Sequence, residues 1–140
     1  MTRDETVAFL ERRQDALRRL DPVALASLHA VDGVLESPFA GGTALGREAI
    51  EQVYRAFFAA FSPSFRQEAV LVDGDRVVLL IHIDGTDHGG LMGQQPTERS
   101  FSLSLVSLFE LSDGLIARER RIYDFTGLLI QVGAIKAKPV

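Results

Sequence analysis

Apolar residues recur at near-helical spacing through the first 20 residues, with charged residues between them. This pattern predicts an amphipathic helix that Thr2 or Asp4 caps at its start. Asp21 and Pro22 then have the residue types of an N-cap and a first helical position, which predicts a second, shorter helix. A third helix is predicted over residues 46–61. Its apolar stripe consists of Ile50, Val53, Phe57, Phe58 and Phe61.

The second half of the chain changes to the two-residue alternation of β-strands. Strands are predicted over residues 65–72, 77–84, 100–111 and 116–123, with an extended piece at 34–39 before the third helix and a loop at Gly41-Gly42. Asp73-Gly74 and Asp113-Gly114 are typical of hairpin turns. Helices followed by strands indicate an α+β fold, in which a meander of about four antiparallel strands is covered on one face by helices.

The strand at 116–123 is unusual because both of its faces carry charge. Arg118, Arg120, Ile122 and Asp124 share one face, and Glu119, Arg121 and Tyr123 share the other. Whichever face is inward therefore needs partners for its charges, because an unpaired buried charge costs several kcal/mol or more. Charges kept inside a small protein often mark a functional site.

Composition narrows the classes of function. A length of 140 residues fits one domain, 1–140, with a core at about 6–133 and a C-terminal tail at 134–140. A net charge of −4 gives no electrostatic basis for binding nucleic acid. Cysteine is absent, and no apolar run approaches the roughly 18 residues of a membrane span. We therefore expect a soluble cytoplasmic protein that binds neither nucleic acid nor membrane.

Candidate chemistry lies first on the strand at 77–84. His82 and Asp84 point to the same face, about 7 Å apart at their Cα atoms, which suits either acid–base chemistry or a solvated polar face. His88, in the glycine-rich segment that follows, either reaches a pocket mouth or lies in a loop. A metal site built from these residues is disfavoured because no HExxH-like motif is present.

Other candidates are more ambiguous. Asp124 is either the N-cap of a final helix or a catalytic acid, and Glu36 is an acid in an otherwise apolar stretch. Tyr54 on the third helix could direct its hydroxyl inward. His29, at the predicted end of the second helix, has the position of a structural residue that complements the helix dipole.

Several short motifs occur in a characteristic order. They are Gly85-Thr86 with His88-Gly89, then Gly93 and Pro96-Thr97, then Asp113-Gly114 with Ile116, and Asp124 followed by Leu128-Leu129, Gln131 and Gly133. With the preceding helices, this order resembles the nuclear-transport-factor-2-like superfamily. It is most similar to the SnoaL-like branch, which includes polyketide cyclases and ester cyclases. The resemblance extends from Thr6 to Gly133.

The resemblance implies a cone of curved, antiparallel or mixed β-sheet that helices close around an apolar cavity. It also implies a homodimer and, for Asp124, the role of general acid and base. Limonene epoxide hydrolases are less similar, because His82-Ile83-Asp84 replaces their Arg-x-Asp motif and Arg121 stands at the place of their second acid. Ketosteroid isomerases are also disfavoured, because Ser37 precedes Pro38 where their catalytic acid would be.

The sequence supports two hypotheses. The first is an enzyme without a cofactor or metal, of the cyclase, isomerase or hydrolase type, acting on a hydrophobic substrate such as a polyketide or terpenoid. Asp84 or Asp124 would transfer a proton, and His82 would orient the substrate. The substrate-binding set would comprise His88, Arg120, Arg121, Glu36, Tyr54 and Phe58. The second hypothesis is a non-catalytic module of the same fold that binds a small molecule or dimerises.

Overall fold

The computed structural model describes residues 1–91 and 93–137. These residues contain four α-helices and six β-strands. In chain order they are α1 (Arg3–Arg18), α2 (Pro22–Ser27), β1 (His29–Ser37), β2 (Gly42–Leu45), α3 (Arg47–Phe61), β3 (Ser64–Asp73), β4 (Arg76–Thr86), β5 (Ser100–Ser112), β6 (Leu115–Ile122) and α4 (Phe125–Gln131). A short 3-10 turn, Pro38–Ala40, separates β1 from β2.

The strands form one curved, unclosed sheet in the order β2-β1-β6-β5-β4-β3. Strands β3 to β6 are the predicted antiparallel meander. Strand β1 returns beside β6 in parallel and pairs with β2 on its other side. The α+β prediction is confirmed, and the sheet is mixed because of the single parallel pairing.

Local sequence explains where the helices begin. Thr2 and Glu5 form a reciprocal capping box at the start of α1. Asp21 accepts from the backbone of Ala24 at the start of α2. Gly85 on β4 has little room for a side chain, because a Cβ there would lie 2.7 Å from the ring of Phe101 on β5 and 3.2 Å from Cβ of Phe61 at the end of α3.

The core lies between the inner face of the sheet and helices α1, α3 and α4. Alternate residues of β4, beginning with Val77 and ending with Ile83, point into it, and Phe61 and Phe109 are fully buried there. The alternation that predicted this strand therefore comes from one buried and one outward face.

Two boundaries differ from the sequence prediction. Strand β1 begins at His29, five residues before the predicted extended piece, and its pairing with β6 is irregular between His29 and Val34. This irregularity interrupts the alternation that a regular strand would show. Gly42, predicted with Gly41 to be a loop, begins the short edge strand β2, Gly42–Leu45.

The predicted C-terminal tail, 134–140, is only partly described, since residues 138–140 lie outside the described residues. Met92, within the predicted glycine-rich segment, also lies outside them. Among the helices of the described chain, none is both long enough and apolar enough to cross a membrane.

Candidate functional site

The charged residues Glu119 and Arg121 lie on the inward face of β6. Ile116 is also buried, although simple alternation would place it on the opposite face. The cause is a β-bulge at Ala117, where β6 has one more residue than the facing part of β5. The bulge turns both the apolar start and the charged end of β6 towards the core.

Glu119 is fully buried and holds together side chains from three elements. Arg121 donates from Nε to Oε2 at 2.7 Å and from Nη2 to Oε1 at 3.3 Å. Ser107 on β5 donates to Oε2 at 2.8 Å. Arg13 on α1 places Nη2 at 3.7 Å from the same oxygen. The carboxylate thus has the charged and hydrogen-bonding partners that its burial requires.

His29 and Tyr54 extend this cluster. Nε2 of His29 lies 3.6 Å from Oε1 of Glu119 and 3.2 Å from the hydroxyl of Tyr54. A lone pair facing a carboxylate would be repelled, so the geometry favours the tautomer that carries its proton on Nε2. In that tautomer His29 donates to the Tyr54 oxygen, which leaves the hydroxyl proton of Tyr54 free for another acceptor.

The cluster has a defined charge state at neutral pH. Burial opposes ionisation of Glu119, but Arg121 and Arg13 outweigh it and lower the pKa to about 2. Burial lowers the pKa of His29 to about 4, against the opposing effect of Glu119. Burial, and then Glu119, raise the pKa of Tyr54. Glu119 is therefore ionised, whereas His29 and Tyr54 are neutral.

A cavity lies directly beside the cluster. Its apolar walls include Phe39, Phe57, Phe58, Phe65, Ile81 and Leu105. Its polar lining consists of Arg13, Ser37, Tyr54, Ser107, Arg121 and Tyr123. The free volume of about 30 Å³ has room for about two water molecules, so a larger ligand requires the aromatic walls to move.

Three of the predicted site residues line this cavity: Tyr54, Phe58 and Arg121. The guanidinium carbon of Arg121 lies 4.7 Å from the centre of the Tyr54 ring. This is a cation–π distance, and it holds the cation against the wall of the cavity.

His82 and Asp84 lie on the outer face of the sheet instead. His82 bonds Ser102 at 2.7 Å through Nε2, which is also 3.4 Å from Asp84. Asp84 is exposed, and its hydrogen bond with Ser102, followed by the effect of His82, lowers its pKa. This arrangement matches the solvated polar face considered as the alternative for the pair.

Asp124 is exposed and caps α4, accepting from the backbone of Gly127 at 2.8 Å. It is next to Tyr123, which lines the cavity. His88 is exposed and pairs with Glu98 at 2.7 Å, away from the residues that line the cavity. The structure thus does not bring Asp124, Asp84 and His82 together around one space.

Glu36 and Arg120 lie on the outer side of the β1–β6 pair. Their side chains are 3.7 Å apart, and Glu36 also pairs with Arg118. They line an external groove that shares a wall with the cavity, and this wall consists of Ser37, Arg121 and Tyr123.

Sequence reasoning missed Arg13, His29, Ser107 and Glu119 as site residues. The one available signal was the alternation that places Glu119 on the same face as Arg121. Arg13 is indistinguishable in sequence from its exposed neighbour Arg12. In the described part of the chain, no group of three His, Asp or Glu residues could hold a metal ion.

Comparison with known proteins shows the family and the fold of this chain. The family model described as SnoaL-like polyketide cyclase matches residues 8–132. The chain belongs to the SnoaL-like polyketide cyclase family. Nogalonic acid methyl ester cyclase of Streptomyces nogalater is 35% identical over 94 residues, which are 66% of this chain and 70% of that protein.

Solved structures extend the likeness to most of the fold. TsrD from Streptomyces laurentii has a TM-score of 0.80 at 24% identity, covering 96% of this chain and 99% of its own. A protein of ketosteroid isomerase-like fold from Catenulispora acidiphila, in complex with trimethylamine, has a TM-score of 0.76 at 21% identity, covering 89% and 92%. These identities show a shared fold, and the SnoaL-like match indicates a fold of the small-molecule cyclase or isomerase type.

Proposed function

We propose that this chain is a cofactor-independent enzyme of the cyclase or isomerase type, which acts on a small hydrophobic carbonyl compound, such as a polyketide or terpenoid, inside the cavity. The observation that supports the proposal most directly is the position of Tyr54 and Arg121. Both line an otherwise largely aromatic cavity, and both contact a buried ionised cluster. The similarity to nogalonic acid methyl ester cyclase of Streptomyces nogalater supports ring closure of a methyl ester as the type of reaction.

Tyr54 serves as the hydrogen-bond donor to the reacting carbonyl oxygen. Its raised pKa keeps it protonated, and His29 occupies its oxygen as donor, so the hydroxyl proton is available to a substrate. Arg121 supplies positive charge beside the same ring. Together they stabilise negative charge that develops on oxygen in a site shielded from water.

The proposed reaction is an isomerisation. A C–H bond next to the carbonyl breaks, and its electron pair moves into the enolate that Tyr54 and Arg121 stabilise. The enolate carbon then attacks a second carbonyl of the same molecule, and the alkoxide oxygen so formed takes up a proton. One proton leaves carbon and one returns to oxygen, so the reaction needs no oxidant or cofactor. The proposed carrier is Asp124, which would accept the proton that leaves carbon and return it to the alkoxide oxygen; Asp124 is exposed and follows the cavity-lining Tyr123 in the chain.

The test is deuterium exchange at the α-carbon of a panel of aromatic β-keto methyl esters, followed by NMR in D₂O. Tyr54→Phe should slow enzyme-dependent exchange by about 10²-fold or more, the usual effect of removing one oxyanion donor. Tyr123→Phe is the matched control, because Tyr123 lines the same cavity and is the only other tyrosine of the chain. Equal rates for the two variants would contradict the role of Tyr54.

We further propose that the protein forms a homodimer through the outer face of the sheet. Part of that face is apolar across neighbouring strands, with Leu71 beside Val78, Val78 beside Leu108, and Val106 beside Ile122. Leu71 is 67% exposed and Ile122 is 54% exposed. A contiguous apolar patch on a soluble protein commonly marks an interface.

A further inference from the structure

The cluster beside the cavity contains more positive than negative charge. Arg13 and Arg121 are both cationic, and Glu119 is the only carboxylate of the described residues within 4.0 Å of either guanidinium. His29 and Tyr54 are neutral, so they add no compensating charge. One unit of positive charge is therefore left over at a site with little access to water.

Arg13 also has an unused donor. Its side chain is 4% exposed and lines the cavity. Nη2 of Arg13 faces Glu119, and the central carbon of the Arg13 guanidinium lies 4.9 Å from the centre of the Phe109 ring. The Nε–H group is buried and donates to no acceptor among the described residues. Such a donor is costly unless something occupies it, because buried polar groups are almost always hydrogen-bonded.

We propose that the cavity ligand carries an ionised acidic group, a carboxylate or an enolate oxygen, that accepts from Nε of Arg13 and lies against the excess positive charge of Arg13 and Arg121. The inference rests on the proposed function only in taking the cavity as the substrate site. It adds a substrate class: a molecule with an apolar part about the size of one ring and with one anionic oxygen. The apolar part of the ligand would pack against the aromatic walls formed by Phe39, Phe57 and Phe65.

The same geometry disfavours a cationic ligand and favours an anionic ligand over a neutral one, so a neutral β-keto ester would be held most tightly as its enolate. A cation would meet like charge from Arg13 and Arg121 in a medium of low dielectric constant, which is strongly unfavourable. A neutral amide could accept from Nε but would leave the excess charge uncompensated. A carboxylate adds the attraction between opposite charges at low dielectric to this hydrogen bond, whereas its amide makes the hydrogen bond alone, so the site discriminates between the two.

The experiment compares two pairs of isosteric probes, acetate with acetamide and benzoate with benzamide. Binding to the full chain is measured by NMR titration at constant ionic strength. Each anion should bind at least about tenfold more tightly than its amide. The smaller pair reports on the cavity even where the aromatic walls do not yield to a ring. If both amides bind as tightly as their anions, or if neither anion binds, the proposal is overturned.

Variants assign the effect to the cluster. Arg13→Gln should abolish the preference for the anion, and Arg13→Lys, which keeps the charge but lacks Nε–H, should reduce it by less. Arg12→Gln removes an exposed charge from the adjacent position of the same helix and should leave the preference unchanged. An equal loss in Arg12→Gln would overturn the proposal, because it would indicate a general surface effect.

Glu119→Gln gives a test of opposite sign. Removing the carboxylate increases the excess positive charge, so the affinity for acetate should rise by roughly tenfold. Damage to the fold would weaken binding instead, so a loss of affinity in a variant with an unchanged circular dichroism spectrum contradicts the proposal. Anion binding that depends on Arg13, in a protein whose Tyr54→Phe variant exchanges deuterium normally, would support the anion site and refute the proposed reaction.

Discussion

Nε of Arg121 lies 2.7 Å from Oε2 of Glu119, two residues earlier on the same face of β6. Cα atoms at that spacing are about 7 Å apart, so the two long side chains meet above the intervening backbone. The consequence is an ion pair within a single strand, in which Glu119 is fully buried and Arg121 is 12% exposed, and which side chains of α1 and α3 contact. The pair holds Arg121 at the cavity wall and uses the one carboxylate of the described residues that lies within 4.0 Å of its guanidinium.

Glu119→Ala should therefore be strongly destabilising. It leaves Arg13 and Arg121 buried without a counter-charge, and breaking a buried pair in this way costs about 3–5 kcal/mol. The free energy of unfolding from urea denaturation measures the effect. Glu36→Ala is the matched control, because Glu36 pairs with arginines on the outer face, where an exposed ion pair contributes about 1 kcal/mol or less. Similar losses for the two variants would contradict the central role of Glu119.

Stability should fall as the pH falls below about 6.5. The pKa of His29 is lowered from 6.5 to about 4 in the folded state, so between these values the unfolded state binds more protons and is favoured by acid. The full loss is on the order of 3 kcal/mol, since one pKa unit corresponds to about 1.4 kcal/mol. Glu119 adds a second loss of stability between pH 4.5 and about pH 2, because the pKa of this carboxyl is also lowered in the folded state.

The pH effect can be assigned by urea denaturation at several pH values. His29→Gln should flatten the dependence between pH 6.5 and 4. His88→Gln changes an exposed histidine on the segment between β4 and β5 and should leave the dependence intact. A slope that persists in His29→Gln would show that other groups cause the acid sensitivity.

The sequence predicted the elements of the fold because their signals are local. The alternation along β4 and β5, the turn at Asp113-Gly114 and the cap at Asp21 each depend on a few adjacent residues. The site depends on contacts between distant residues. Glu119 meets Arg13, which is 106 positions earlier, and His29 is 25 positions from Tyr54. Pattern analysis also cannot detect the bulge at Ala117 or the irregular pairing of β1, which together decide which side chains face the cavity.

Asp124 is tested by two substitutions that separate capping from catalysis. Asp124→Asn keeps a good N-cap, whereas Asp124→Ala loses the bond to Gly127 and about 1 kcal/mol of stability. If Asp124 carries protons, both variants should lose deuterium exchange with β-keto methyl esters, although only Asp124→Ala should melt at a lower temperature. Full exchange activity in Asp124→Asn would leave Asp124 with the structural role alone.

The proposed homodimer gives a prediction about the outer face of the sheet. Ile122 is 54% exposed beside Val106, so Ile122→Glu places a charge within the apolar patch and should convert the dimer to a monomer in light scattering. Val23→Glu is the control, because Val23 is 58% exposed but lies on α2, away from this face.

The Ser102 and Ser104 side of β5 belongs to the same outer face and should become protected from solvent in the dimer. A wild-type chain that is monomeric at high concentration contradicts the homodimer directly. A dimer that Val23→Glu disrupts and Ile122→Glu does not would locate the interface on the helices instead.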